Sequence, residues 1–334
     1  MGHFDLPLEE LRAYRPELST PYDLADFWQR TLAETARHPL AAEFHPHQSP
    51  LQTVEVLDVS FAGYDGQRVA AWLLLPRSRA GRLSCIVEYV GYGGGRGLPH
   101  EWLGWSAFGY AHFVMDTRGQ GSSWRTGVTP DYPPNGAHPH APGFLTLGLP
   151  ERGDYYYRRL YVDASRAVEA AREHPEIDPD HVVLHGHSQG GALAVSASVL
   201  RGWLLDDPVA GVLSDEPFLA HIRRAAEIAD SGPYPELVTW CRTHRDRAED
   251  AFAMLAYFDI AVLAPYAVAP ALFSVSMRDD TCPPSTVFAA YNHYAADKEI
   301  RVWEWNEHEG GEAFHRLEQL SWLEVGPPTR GSGR

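Results

Sequence analysis

Apolar and polar positions alternate along Leu51–Phe61 and again along Val69–Leu75, with Gly63-Tyr64-Asp65-Gly66 between them. Alternation with a period of two marks a half-buried strand, so these stretches predict an antiparallel hairpin closed at the glycine turn. Further along, the pattern changes to short continuous apolar runs at Cys85–Val90, Ala111–Asp116, Val209–Ser214, Ala271–Ser276 and Ile300–Trp305. Each reads as a buried strand, and a further one ends at Leu184 after a turn from Pro175 to Asp180. Helical spacing fills the intervals at Trp102–Phe108, Tyr155–His174 and Pro283–Tyr294. Near the start, Asp23–Arg37 places Leu24, Phe27, Trp28, Leu32 and Ala33 on one stripe. Strands alternating with helices predict the α/β class, a mainly parallel sheet with helices on both faces. We expect a single domain over 1–334, with an N-terminal arm at 1–50 and a helical cap insertion at about 217–258. The proline-rich loop 124–150 is too long for a simple connector and reads as a lid or an interface.

Composition narrows the partners. The 334 residues suffice for a sizeable core, and 44% hydrophobic with 22% charged residues is an ordinary globular balance. A formal charge of −16 argues against nucleic acid and anionic membrane as partners. Lys298 is the only lysine, which we read as compositional bias. Cys85, Cys241 and Cys282 have neither metal-ligand spacing nor a disulfide framework, and suit a reducing compartment. Met1-Gly2-His3-Phe4-Asp5 shows no secretory pattern, and the longest apolar stretch, Tyr257 to Met277, contains Asp259, Pro265 and Pro270. A cytoplasmic protein without a membrane span is expected.

The chemistry centres on Gly186-His187-Ser188-Gln189-Gly190, where an apolar run ends and a small-residue helical pattern begins. A strand turning sharply into a helix with serine at the tip is the nucleophile elbow of an α/β-hydrolase. A hydroxyl is a poor nucleophile at neutral pH, so Ser188 needs a base in reach, and the base needs a carboxylate to fix its tautomer. The partners should lie after later strands, in the order acid, then histidine. His308, in the loop after Ile300–Trp305, is the candidate base, and Asp279 or Asp280, after Ala271–Ser276, the acid. The oxyanion of acyl transfer needs two backbone donors. One is the N–H of Gln189; Tyr92, in the glycine-rich loop after Cys85–Val90, is the candidate for the other. The histidine pairs His45/His47, His138/His140 and His185/His187 lack a third ligand at metal spacing and read as surface or structural residues, so no metal or organic cofactor is expected. Asp116 and Arg118 read as supports for the glycine turn that follows them.

Several motifs together resemble one branch of this superfold. They are Tyr92-Gly93-Gly94-Gly95-Arg96-Gly97, Arg118-Gly119-Gln120-Gly121, Asp154-Tyr155-Tyr156-Tyr157-Arg158-Arg159, Gly186-His187-Ser188-Gln189-Gly190-Gly191, Cys282-Pro283-Pro284-Ser285-Thr286 and His308-Glu309. In order and setting they resemble the acetyl xylan esterase / cephalosporin C deacetylase family, carbohydrate esterase family seven, nearly from end to end. The resemblance implies Ser188 as nucleophile, Asp279 as acid, His308 as base, and Tyr92 and Gln189 as oxyanion donors. It also implies Tyr92, Trp105, Pro217 and Phe218 as substrate-pocket residues. It further implies a homo-oligomer, commonly a hexamer, with a small acetylated substrate such as a xylo-oligosaccharide or a cephalosporin. Three departures stand out: Arg278 before Asp279, Glu312 beside the His308 loop, and Gly93 where asparagine is common, which would loosen the oxyanion loop. Rival readings are a carboxylesterase or acyl-peptidase with a wider pocket, and a hydrolase fold without activity that only binds.

Overall fold

The computed structural model describes residues 4–325. Among these, nine strands form one sheet: β1 (Glu43–Pro46), β2 (Val54–Ala62), β3 (Arg68–Pro76), β4 (Leu83–Tyr89), β5 (Ala111–Met115), β6 (Ile177–His187), β7 (Gly211–Asp215), β8 (Ala271–Ser276) and β9 (Lys298–Trp303). Their spatial order is β1-β2-β3-β5-β4-β6-β7-β8-β9. The first four neighbours pair antiparallel, and from β5 onward every pair is parallel. The parallel strands are apolar runs because helices cover both their faces.

Those helices are α1 (Leu8–Ala13), α2 (Leu24–Thr35), α3 (Leu103–Ala107), α4 (Tyr156–Glu173), α5 (Gln189–Leu204), α6 (Ile222–Ile228), α7 (Tyr234–Thr243), α8 (Ala248–Leu255), α9 (Ile260–Leu263), α10 (Pro284–His293) and α11 (Glu312–Val325). Side-chain alternation along the strands sorts the core. Cys85, Val87, Val182 and Leu184 join α2, α4, α5 and α10 in the main cluster, whereas Ile86, Val183, Leu213 and Leu272 pack on Trp105 of α3 and Trp322 of α11. Three helices, α6 to α8, fill the insertion expected as a cap. No helix among the described residues is long and apolar enough to cross a membrane.

Two expectations are corrected. The arm contributes a strand, β1, whose mostly exposed Glu-Phe-His-Pro has no inward face for alternation to reveal. The stretch 177–180, expected as part of a turn, begins β6: Leu83 pairs with Ile177 before the register shifts and Cys85 pairs with Val182. Lys298 also has a defined job. Its ammonium donates to the carbonyls of Tyr291 (2.7 Å), Asn292 (3.2 Å) and Tyr294 (2.7 Å), closing the end of α10. Three divergent donors on a point charge suit three converging carbonyls at a negative helix end better than a planar guanidinium does.

Candidate active site

The turn from β6 into α5 holds Ser188 at φ 58°, ψ −119°, a backbone shape a non-glycine residue adopts only when its surroundings enforce it. Two glycines make the enforcement possible. A Cβ on Gly186 would lie 2.2 Å from the backbone of Gly190, and one on Gly190 would lie 2.1 Å from the carbonyl oxygen of Tyr89. Strand and helix therefore pass at van der Waals contact, and the serine N–H is tied to the Asp215 carbonyl at 2.8 Å.

His308 Nε2 lies 3.0 Å from Ser188 Oγ, and its Nδ1 lies 2.7 Å from Asp279 Oδ2. Asp279 is fully buried, and its other oxygen accepts the N–H groups of Thr281 and Cys282, both at 2.8 Å. With both carboxylate oxygens occupied, its position is set on two sides. Asp280 points elsewhere and accepts the Ser231 hydroxyl at 2.7 Å. Asp279 is therefore the carboxylate that meets the imidazole. Such a chain can move a proton off the serine hydroxyl and hold the resulting imidazolium.

Gln189 is the first residue of α5, where a helical N–H has no carbonyl four residues back to bond. Its side chain is locked by Val90 O, Gln120 and the Tyr157 hydroxyl. Tyr92 sits in the turn closed by Gly94 N–H to Gly91 O at 3.1 Å. Its hydroxyl donates to Glu236 at 2.6 Å and accepts from the Phe144 N–H. Burial, with the Glu236 carboxylate beside it, pushes that phenol far above its ordinary value.

Where loosening was expected, at Gly93, the turn is bonded on both sides. Gly93 takes φ +80°, its N–H donates to Gln120 Oε1 at 2.6 Å, and its carbonyl accepts from Gly121 and Ser123. Trp124 Nε1 bonds the Tyr92 carbonyl at 2.8 Å, so the turn is held from several sides. Asp116 and Arg118 brace the loops around it, as expected. Asp116 accepts from Arg96, Val128 and Thr129, while Arg118 pairs with Asp163 and Asp131.

Ser188 and His308 open into a cavity of about 510 Å³ whose wall includes Tyr92, Trp124, His187, Pro233, Glu236 and Thr281. Three residues carried over as pocket walls are placed otherwise. Trp105 is buried on α3, across the sheet from α5, with its edge on His185 and the Arg316 guanidinium 4.0 Å over its ring. Pro217 and Phe218 are buried behind the cavity; the Phe218 N–H donates to the Ser188 carbonyl at 3.0 Å, and its ring packs on Tyr92. Neither is among the residues that line this cavity.

Residue patterns missed Trp124 and Glu236, and set His187 aside as a surface or structural residue although it lines the cavity. Trp124, an aromatic directly after a glycine- and serine-rich loop, carried a usable signal; Glu236, on a cap helix, carried none. Arg278 stacks on Trp305, its guanidinium carbon 4.9 Å from the ring centroid. Glu312 lines a second cavity with Glu88, His185, Asp215 and His315. Among the described residues, the one trio with donor atoms spaced for a metal is Asp279, Cys282 and His308, within 4.8 Å of one another. These are the proton-path residues themselves, together with a thiol that burial holds well above its ordinary value.

Comparison with known proteins gives a consistent picture. The family model described as acetyl xylan esterase (AXE1) matches residues 1–325. The acetyl esterase Axe7A of Xylanibacter ruminicola is 30% identical over 171 residues, which take in 50% of this chain and 36% of that protein. The chain thus spans only about a third of that curated relative's length. The acetyl xylan esterase of Paenibacillus sp. R4 superimposes with a TM-score of 0.88 at 36% identity, covering 96% of this chain and 100% of its own. Acetyl xylan esterase 1 of Thermoanaerobacterium sp. gives 0.86 at 28% identity, covering 96% and 99%.

Proposed function

The chain belongs to the acetyl xylan esterase family, an α/β-hydrolase family of carboxylic ester hydrolases, and on that premise we propose that it removes acetyl groups from small acetylated substrates by way of an acetyl-enzyme on Ser188. Acetylated xylo-oligosaccharides and the acetyl ester of cephalosporin C are the substrate classes. The observation that carries the reading is the unbroken chain Asp279–His308–Ser188 at the mouth of the 510 Å³ cavity.

Ser188 Oγ attacks the acetyl carbonyl while His308 Nε2 takes the hydroxyl proton and Asp279 steadies the imidazolium. Negative charge on the carbonyl oxygen is met by the N–H groups of Gln189 and Tyr92, with the positive end of α5 behind them. Collapse of the tetrahedral species breaks the bond to the sugar oxygen, which leaves with the proton from His308. Water, deprotonated by the same nitrogen, then releases acetate and restores the serine.

Hydrolysis of p-nitrophenyl acetate by wild type and Ser188→Ala tests the reading. Loss of at least about 10⁴-fold in kcat is expected on removal of the nucleophile, and undiminished turnover overturns it. A homo-oligomer, a hexamer by family resemblance, belongs to the same proposal. It is supported by Trp305, Phe314 and Leu317, which leave large apolar side chains exposed around the start of α11. Cytoplasmic placement is supported by three cysteines that form no disulfide.

A further inference from the structure

One side chain in the cavity wall is not accounted for by acyl transfer. His187 precedes Ser188 at the end of β6, and its Nε2 lies 2.7 Å from the backbone carbonyl oxygen of His308. The two imidazole rings pack with centroids 4.7 Å apart at 50°. A carbonyl oxygen only accepts, so Nε2 of His187 carries the hydrogen and donates it. Behind the ring, Glu216 is buried, with Oε2 3.8 Å from Nε2, beyond hydrogen-bond reach. Its own oxygens are occupied by the hydroxyls of Ser274 (2.9 Å) and Ser276 (3.0 Å). That N–H therefore bonds the carbonyl of His308, not the carboxylate of Glu216.

The consequence concerns the loop between β9 and α11. His308 reaches Ser188 from that loop, and its Nδ1 bond to Asp279 fixes the ring at one end only. Rotation about the backbone would swing Nε2 away from Oγ without breaking the carboxylate contact. A bond from the residue adjoining the nucleophile to the main chain of the base removes that freedom, tying elbow and loop to each other directly.

We propose that His187 is a positioning residue for this active site: its Nε2–H clamps the His308 main chain so that the imidazole of His308 stays aimed at Ser188. The inference rests on the reading of Ser188 and His308 given above. Misplacement of a reacting group by about 1 Å costs on the order of a hundredfold in rate, so the clamp acts on turnover more than on substrate affinity.

Three variants of the full chain separate a donor from a space-filler. His187→Phe keeps a ring against His308 without the donor; His187→Gln keeps an N–H at similar reach without the ring; His187→Met is the apolar substitute should phenylalanine prevent folding. Steady-state hydrolysis of p-nitrophenyl acetate is measured for each, with thermal melting confirming that each folds. The expected result is a kcat about ten- to a hundredfold lower for His187→Phe with KM within about threefold of wild type, and recovery of most of that loss in His187→Gln. Wild-type kcat in the phenylalanine or methionine variant overturns the proposal, as does a glutamine variant as slow as the apolar ones. Ser188→Ala, assayed alongside, keeps the two readings apart. If it retains activity, the nucleophile assignment falls. If it is inactive while His187→Phe is unimpaired, only the clamp falls.

Discussion

At Asp279 and Asp280 the chain places two carboxylates side by side and uses them differently. Asp279 spends one oxygen on two backbone N–H groups and the other on His308, whereas Asp280 reaches out to Ser231 on the cap. An amide at 279 keeps the shape but offers His308 the wrong partner, so the imidazole loses its tautomer and its counter-charge. Asp279→Asn is expected to lower kcat on p-nitrophenyl acetate by about 10³–10⁴-fold, and Asp280→Asn by less than about tenfold. Equal losses at the two positions would reject the assignment. Sequence order alone left both aspartates open, because adjacent residues on a tight loop differ in direction rather than in spacing.

Among the elements, backbones come into direct contact where β4, β6 and α5 meet. Gly190 lies so near the Tyr89 carbonyl that a methyl group there has backbone to displace, while Gly104, on the exposed side of α3, has nothing within 4 Å of its Cβ position. Gly190→Ala is expected to cost about 1–3 kcal/mol in urea unfolding, and Gly104→Ala to stabilise by up to about 1 kcal/mol through helix propensity. A neutral Gly190→Ala would mean that the elbow has room to relax. The elements that the residue pattern located correctly are those with a clear inside: the β2–β3 hairpin, the buried parallel strands and the long helix α4. Those it missed lack one. Strand β1 is largely exposed, and the start of β6 carries Asp178, Pro179 and Asp180, whose turn chemistry masks a strand with a register shift. Trp105, which the resemblance alone assigned to the pocket, packs on the other face of the sheet, and nothing in the local residue pattern says which face it takes.

For the molecule as a whole, the end of the sheet facing α11 is held by charge. Glu88, His185 and Asp215 form a buried row, with Asp215 also accepting from His315 and Gln319 of α11 and Glu88 from His112. Burial alone would raise both carboxyls, yet the histidines beside them draw each well below its ordinary value. Burial and Arg316 push His185 down, but Glu88 and Asp215 overcome them and leave it above 6.5. The signs fix a window. The carboxylates stabilise the fold above their ordinary values of 4.5 and 3.8 and lose that contribution as pH falls through the depressed ones. His185 stabilises it below 6.5 and loses its contribution as pH rises through the raised value. Thermal melts of wild type and His185→Gln should therefore differ most near about pH 5.5 and converge on the alkaline side. A gap that widens with pH would contradict the row as described.

The capped end of α10 has a practical corollary. Since Lys298 is the sole lysine, a protease specific for that residue has a single bond to cut, and it lies at the entrance to the outermost parallel strand. While the ammonium is engaged with three carbonyls the cut is blocked. The rate at which two fragments accumulate then becomes a clock for the detachment of β9, the strand that leads into the His308 loop.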